Sequence, residues 1–176
     1  MIKKFTWALI CGCLLLWSCA TVPTKDINVD AKADPKIKFS GYKTYIMLGA
    51  AAIVNDQQGR WEPPSFDADA EIKFLIDREL GKHGISKSAI NPDMVVAYAL
   101  GVDMEALDLK MDPETKIDVL ENVPQSALLI ILIDRPTGFV IWAGSATAEV
   151  METPDDETVK ARLDYAVTGM FKKLPK

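Results

Sequence analysis

Beyond residue 19 the chain has no cysteine, and across all 176 residues it has one histidine, His83. The first absence excludes a disulfide framework and any thiolate-based metal or redox site downstream of that point. The second excludes metal sites built on several imidazoles, and no motif offers His83 the partners of a nucleophilic triad. The sequence also lacks a phosphate-cradling glycine loop and any CxxC, HExxH or GxSxG motif. Positive charge is in the minority: 20 Lys plus Arg stand against 25 Asp plus Glu, for a net charge of -5. That balance argues against nucleic acid as a partner and against an electrostatic grip on anionic lipid.

What is present begins at the N-terminus. Lys3 and Lys4 lead an apolar run from Phe5 to Trp17, shorter than the roughly 20 residues a permanent membrane helix needs, as expected of a cleaved export signal. Leu16-Trp17-Ser18-Cys19 resembles a lipobox, with an aliphatic residue three before the cysteine and a small one directly before it; bulky Trp17 departs from the usual pattern. The resemblance implies a diacylglyceryl-modified, fatty-acylated Cys19 after removal of residues 1–18. Cys13 is a rival acceptor, but cleavage there would leave Leu14, Leu15, Leu16 and Trp17 exposed. An ordinary secretory signal and an uncleaved anchor are the plainer alternatives. Removing residues 1–18 leaves 18 basic against 25 acidic residues, a net charge of -7, so membrane attachment would rest on the acyl chains. Residues 19–26 then form a short tether and residues 27–176 one domain. With Ala20 after the cysteine and no Asp there, the expected address is the periplasmic face of the outer membrane, in a lipid-anchored form.

Along the domain, Ile27 and Val29 suit an edge strand, and 42–48 has the aromatic and β-branched content of another, with Tyr42, Thr44, Ile46 and Leu48 on one face. Ile72, Leu75, Ile76 and Leu80 follow helical spacing, with Asp67 and Asp69 at the helix start and Gly81 or Gly84 at its end. Strand periodicity returns from Met94, and the phase slip after Ala106 predicts a bulge there. Residues 116–123 suit a further strand. The apolar run 127–133 predicts a central strand buried on both faces, turned by Asp134-Arg135-Pro136-Thr137-Gly138 into 139–150. Thr153-Pro154-Asp155-Asp156 reads as a cap, with Thr153 at N-cap, for a C-terminal helix whose stripe is Val159, Leu163, Val167, Met170, Phe171 and Leu174. The fold class is α+β: a largely antiparallel sheet with two helices packed on one face.

Three stretches carry a resemblance: Asp34-Pro35 with Phe39-Ser40-Gly41-Tyr42-Lys43-Thr44-Tyr45; Asn91-Pro92-Asp93-Met94; and Asp134-Arg135-Pro136-Thr137-Gly138 running into Trp142-Ala143-Gly144. In this order the chain resembles the domain-of-unknown-function 4136 family of bacterial lipoproteins, from about Ile27 to Pro175. It departs at Leu109 to Val123, where the family has a glycine-rich middle, and at Ala143, where the family commonly has Arg. The resemblance implies a lipoprotein without an established activity and brings no catalytic residues.

Candidate sites are few. His83 sits where a helix end favours a cation. Asp67, Asp69 and Glu71 suit capping, and Asp108, Asp112, Glu114 and Asp118 suit a solvated strand face; neither group has the spacing of a calcium loop. Tyr42, Tyr45, Trp61, Tyr98 and Trp142 are the aromatics that would line a groove for a ligand or partner, with core packing as the alternative. The expectation is a non-catalytic envelope module with no metal and no cofactor, binding another envelope protein or a cell-wall component. A carrier or sensor of a small apolar ligand is the alternative, and an acid-based hydrolase a third.

Overall fold

The computed structural model describes residues 22–55, 64–111, 118–151 and 153–176. Six strands form one sheet: β1 (Asn28–Ala33), β2 (Thr44–Asn55), β3 (Ser86–Lys87), β4 (Met94–Met111), β5 (Asp118–Asp134) and β6 (Val140–Glu149), with helices α1 (Ala68–Lys82) and α2 (Asp156–Phe171). The sheet order is β1-β6-β5-β4-β2-β3. β1, β6, β5 and β4 pair antiparallel, whereas β2 is parallel to both β4 and β3. The fold is thus α+β with a mostly antiparallel sheet. β5 lies at its centre between β4 and β6 because the Asp134 turn folds it into a hairpin: Asp134 Oδ2 accepts from the Thr137 amide, and Gly138 takes φ +73°.

Three details differ from the sequence expectation. The stretches 116–123 and 127–133 are not separate strands; from Asp118 on they are one, running straight through Pro124. Proline cannot donate to a ladder. The partner strand answers with the expected bulge, in which Asp103 pairs Gln125 and Ala106 pairs Val123, so that two β4 residues stand opposite Pro124. Secondly, Asp155, not Thr153, is the N-cap of α2, and its carboxylate accepts from the Thr158 amide 2.7 Å away. Asp caps at least as well as Thr, and the first turn slides to the stronger acceptor.

Thirdly, the run 127–133 is buried on one face only. Leu128, Ile130 and Leu132 point into the core, while Leu129 is 42% exposed and Ile131 and Ile133 are half-buried on the outer face. Both helices lie on the inner face, where Ile72, Leu75, Ile76 and Leu80 of α1 and Val167, Met170 and Phe171 of α2 close over Tyr45, Met94, Val96, Tyr98, Ile130, Leu132 and Trp142. Nothing described covers the other side. Ile46 and Leu48 also face outward; a bulge between Met47 and Gly49, with Gly49 at φ +126°, leaves Leu48 72% exposed. Tyr42 precedes β2 and packs beside Phe39 at the core edge.

The helices are joined by a polar latch. Buried Glu79 accepts from Arg78, Lys82 and Thr168, and Arg78 also bonds Asp164 of α2. Such satisfaction is what makes an interior carboxylate tolerable. Among the described residues, no helix is long and apolar enough to cross a membrane.

Candidate functional site

Core side chains taper along the sheet. Toward the β5–β6 turn the inner positions hold Ile130, Leu132 and Trp142; toward the other end they hold Ala146 and Ala148, and α2 places Ala166 above them. Small side chains on both layers leave unfilled space, since backbone spacing is set by the larger neighbours. The result is a cavity of about 480 Å³, partly open, between α2 and the sheet. Ile27, Leu100, Leu128, Leu163 and Met151 supply much of its apolar lining, joined by Ser126, Glu149, Asp155, Asp156 and Arg162.

Its charged lining is ordered. Arg162 donates through Nη1 and Nη2 to the two carboxylate oxygens of Asp26 and also reaches the Pro23 carbonyl. The Glu149 amide donates to Asp26 at 3.1 Å. The Arg162 hydrogen bond holds the Asp26 carboxyl below the ordinary carboxylate range against its partial burial. This clamp fixes the N-terminal segment to α2 beside the cavity. Across the mouth, Asp156 accepts from the Ser65 amide and hydroxyl, and the Lys160 ammonium lies 4.7 Å from the Phe66 ring centroid.

The aromatics singled out in the sequence do not meet here. Tyr45, Tyr98 and Trp142 are buried in the core; the Tyr45 hydroxyl bonds Asp77 and the Tyr98 hydroxyl bonds Asp69, both on α1. Trp142 stacks at 5.1 Å on Phe171. Burial first, and then the facing carboxylate, pushes both tyrosine hydroxyls well above their usual range. Cys19 and Trp61 lie outside the described residues, as do Asp112 and Glu114. His83 is the C-cap of α1, Asp67 its N-cap, and Asp69 and Glu71 lie in its first turn. Among the described residues no three His, Cys, Asp or Glu side chains are placed to hold one metal ion. The Asp26–Arg162 clamp was not foreseen; the run of small residues Ala143-Gly144-Ser145-Ala146-Thr147-Ala148 was the available sign of the cavity.

The family model of a domain of unknown function, DUF4136, matches residues 29–176. The chain belongs to that family. A solved DUF4136 protein from Bacteroides thetaiotaomicron shares 11% identity with this DUF4136 chain, at a TM-score of 0.54 over 84% of it and 95% of the other, and shows the common fold. A lipoprotein of Neisseria meningitidis, GNA1162, shares 12% identity over 71% of this chain and 94% of its own, with a TM-score of 0.39. No curated protein matches.

In this DUF4136 domain the stretches that carried the resemblance converge at the sheet end opposite the cavity. Asp93 Oδ2 accepts from the Lys43 and Thr44 amides, each at 2.9 Å, and from the Thr44 hydroxyl at 3.0 Å. The Tyr42 hydroxyl donates to Asp134 at 2.9 Å, and the Arg135 amide to the Asp93 carbonyl at 3.1 Å. These bonds tie the starts of β2 and β4 to the end of β5. Burial, reinforced by Asp134, pushes the Tyr42 hydroxyl up to about 12.

These contacts fix the pH response. Backbone amides hold Asp93 below 3.8, the Thr137 hydroxyl does so for Asp134, and the basic and hydroxyl partners of Glu79, outweighing its burial, hold it below 4.5. A depressed carboxyl binds protons more weakly in the folded state, so its contribution is complete above the ordinary value and lost as pH falls through the folded one. The raised tyrosines act in the opposite sense, and their contribution declines as pH rises above 10. The melting temperature is expected to fall as pH drops through 4.5 to 3.8 and below, and again above 10. Calorimetry across that range checks both limbs. A flat acid limb would contradict the carboxylate assignments.

Proposed function

We propose that the mature protein is a lipid-anchored, non-catalytic binding module of the bacterial envelope, held at the periplasmic face of the outer membrane by acylated Cys19, and that it takes a small apolar ligand. The observation that carries this reading is the apolar cavity beneath α2, large enough for a ligand and bordered by the segment that leads back to Cys19. The lipobox resemblance and the membership in DUF4136 support the lipoprotein part. One observation favours a second role alongside it: the exposed strip of Ile46, Leu48 and Leu129 on the outer sheet face suits contact with another envelope protein.

Mass spectrometry of the protein purified from membranes tests the proposal. Intact mass is expected to show a mature chain beginning at acylated Cys19, and Cys19→Ala to leave unprocessed, unacylated precursor. Native mass spectra are expected to show an additional non-covalent apolar molecule. A different mature N-terminus overturns the anchor, and a ligand-free spectrum overturns the carrier reading. Fractionation with the inner membrane would contradict the address.

A further inference from the structure

Resting on the contact role of the outer sheet face and on the Cys19 anchor, we infer that this face packs against the same face of a second copy of the chain, anchored in the same membrane. Three observations select that partner. The first is the absence of charge. Across β4, β5 and β6 the register sets Ala97, Ile131 and Ala143 in one outward row and Ala99, Leu129 and Ser145 in the next. A third row, Val95, Ile133 and Val140, continues to Ile46 on β2. None of these side chains is charged, whereas the chain as a whole carries 25 acidic against 20 basic residues. Two copies therefore repel over most of their surfaces and can meet at a neutral face without that cost. A different protein chosen by charge would find no group here to choose it.

Relief supplies the second. β5 raises a ridge of Leu129, Ile131 and Ile133, and on either side the small side chains of Ala97, Ala99, Ala143 and Ser145 leave shallow grooves. A ridge with a groove one strand spacing away, about 4.8 Å, is complementary to itself under a two-fold rotation, each ridge lying in the partner's groove. Charge begins only beyond the groove, where Lys32 and Asp30 of β1 stand beside Ala143 and Ser145 as a polar rim.

Area supplies the third. Three rows across four strands cover about 400 Å² at ~4.8 Å between strands and ~6.8 Å between alternate residues. A pair then buries on the order of 800 Å², below the roughly 1,200 Å² of a stable interface. Free chains in dilute detergent stay apart on that footing. Two acylated chains in one bilayer share a plane, and the higher effective concentration makes so small a contact sufficient.

The test uses the full mature protein, purified from membranes and reconstituted at low density into phosphatidylcholine vesicles. No cysteine follows Cys19, so Ser145→Cys supplies the one free thiol of the acylated chain. A short bis-maleimide is expected to join Ser145→Cys chains several-fold more than Phe74→Cys chains, whose thiol lies on the exposed side of α1. Adding Leu129→Lys sets like charges in the contact at an exposed position, and is expected to lower the Ser145 product roughly tenfold with the melting temperature retained. Equal products at the two positions, or a Ser145 product untouched by Leu129→Lys, overturns the inference. Should the pure protein give no dimer while the same thiol in native envelopes joins a protein of different mass, the contact role stands and the second copy falls. Intact mass of the sample reports the anchor separately, and an unacylated chain overturns the membrane-bound pairing together with that anchor.

Discussion

Ile130→Asp is expected to prevent folding or destabilise the domain by several kcal/mol, whereas Ile131→Asp, one residue along the same strand, costs roughly 1 kcal/mol. Ile130 has no solvent exposure and lies under the helices, so a carboxylate there is buried without a partner. Ile131 pairs with Ala97 and Ala143 on the uncovered side, where an acid keeps much of its hydration. Urea titration of the purified mature protein, with Leu129→Asp as a fully outward-facing comparison, measures the gap. Equal large losses at 130 and 131 would mean that something covers the outer face in solution.

That contrast also marks how far the chain's fold could be read from its residues. Periodicity located both helices, the edge strand at Val29 and the central hairpin, because each signal is local: a helical stripe at Ile72, Leu75, Ile76 and Leu80, or turn chemistry at Asp134 and Gly138. Which face of β5 would be covered is not local. An unbroken apolar run fits a strand buried on both sides as well as one whose second side stays open, and only the placement of both helices on one layer decides between them. The continuity of β5 through Pro124 is not local either. A proline breaks a ladder in isolation, yet a bulge on the partner strand absorbs the missing donor.

The candidate site was less legible still. A cavity is defined by what is missing between two layers, and Ala166 on α2 stands eighteen and twenty positions from Ala148 and Ala146 on β6. The Asp26–Arg162 clamp likewise joins residues 136 apart. The conspicuous aromatics pointed elsewhere, since Tyr45, Tyr98 and Trp142 anchor the sheet to the helices. The residues of the family resemblance hold strand ends together at the opposite edge. What they record is a folding constraint, and the cavity lies beyond it.

Gly144 shows such a constraint at a single atom. A Cβ built there would sit 2.4 Å from Cη2 and 2.9 Å from Cζ2 of Trp142, and 3.0 Å from Sδ of Met170. The indole cannot swing aside, because it is 1% exposed and stacked on Phe171. Gly144→Ala is therefore expected to shift Trp142 or the α2–β6 spacing, at a cost of about 1–3 kcal/mol, which for a domain of this size lowers the melting temperature by roughly 2–4 °C per kcal/mol. The near-ultraviolet circular dichroism of Trp142 should change with it. Gly41→Ala and Gly81→Ala serve as controls, since nothing lies within 4 Å of a Cβ at either position; the first should be close to neutral, and the second, inside α1, should stabilise by up to about 1 kcal/mol. An unchanged melting temperature for Gly144→Ala beside those controls would show that the Trp142 ring does not lie over this strand, and with it would go the account of why the core is wide at one end of β6 and empty at the other.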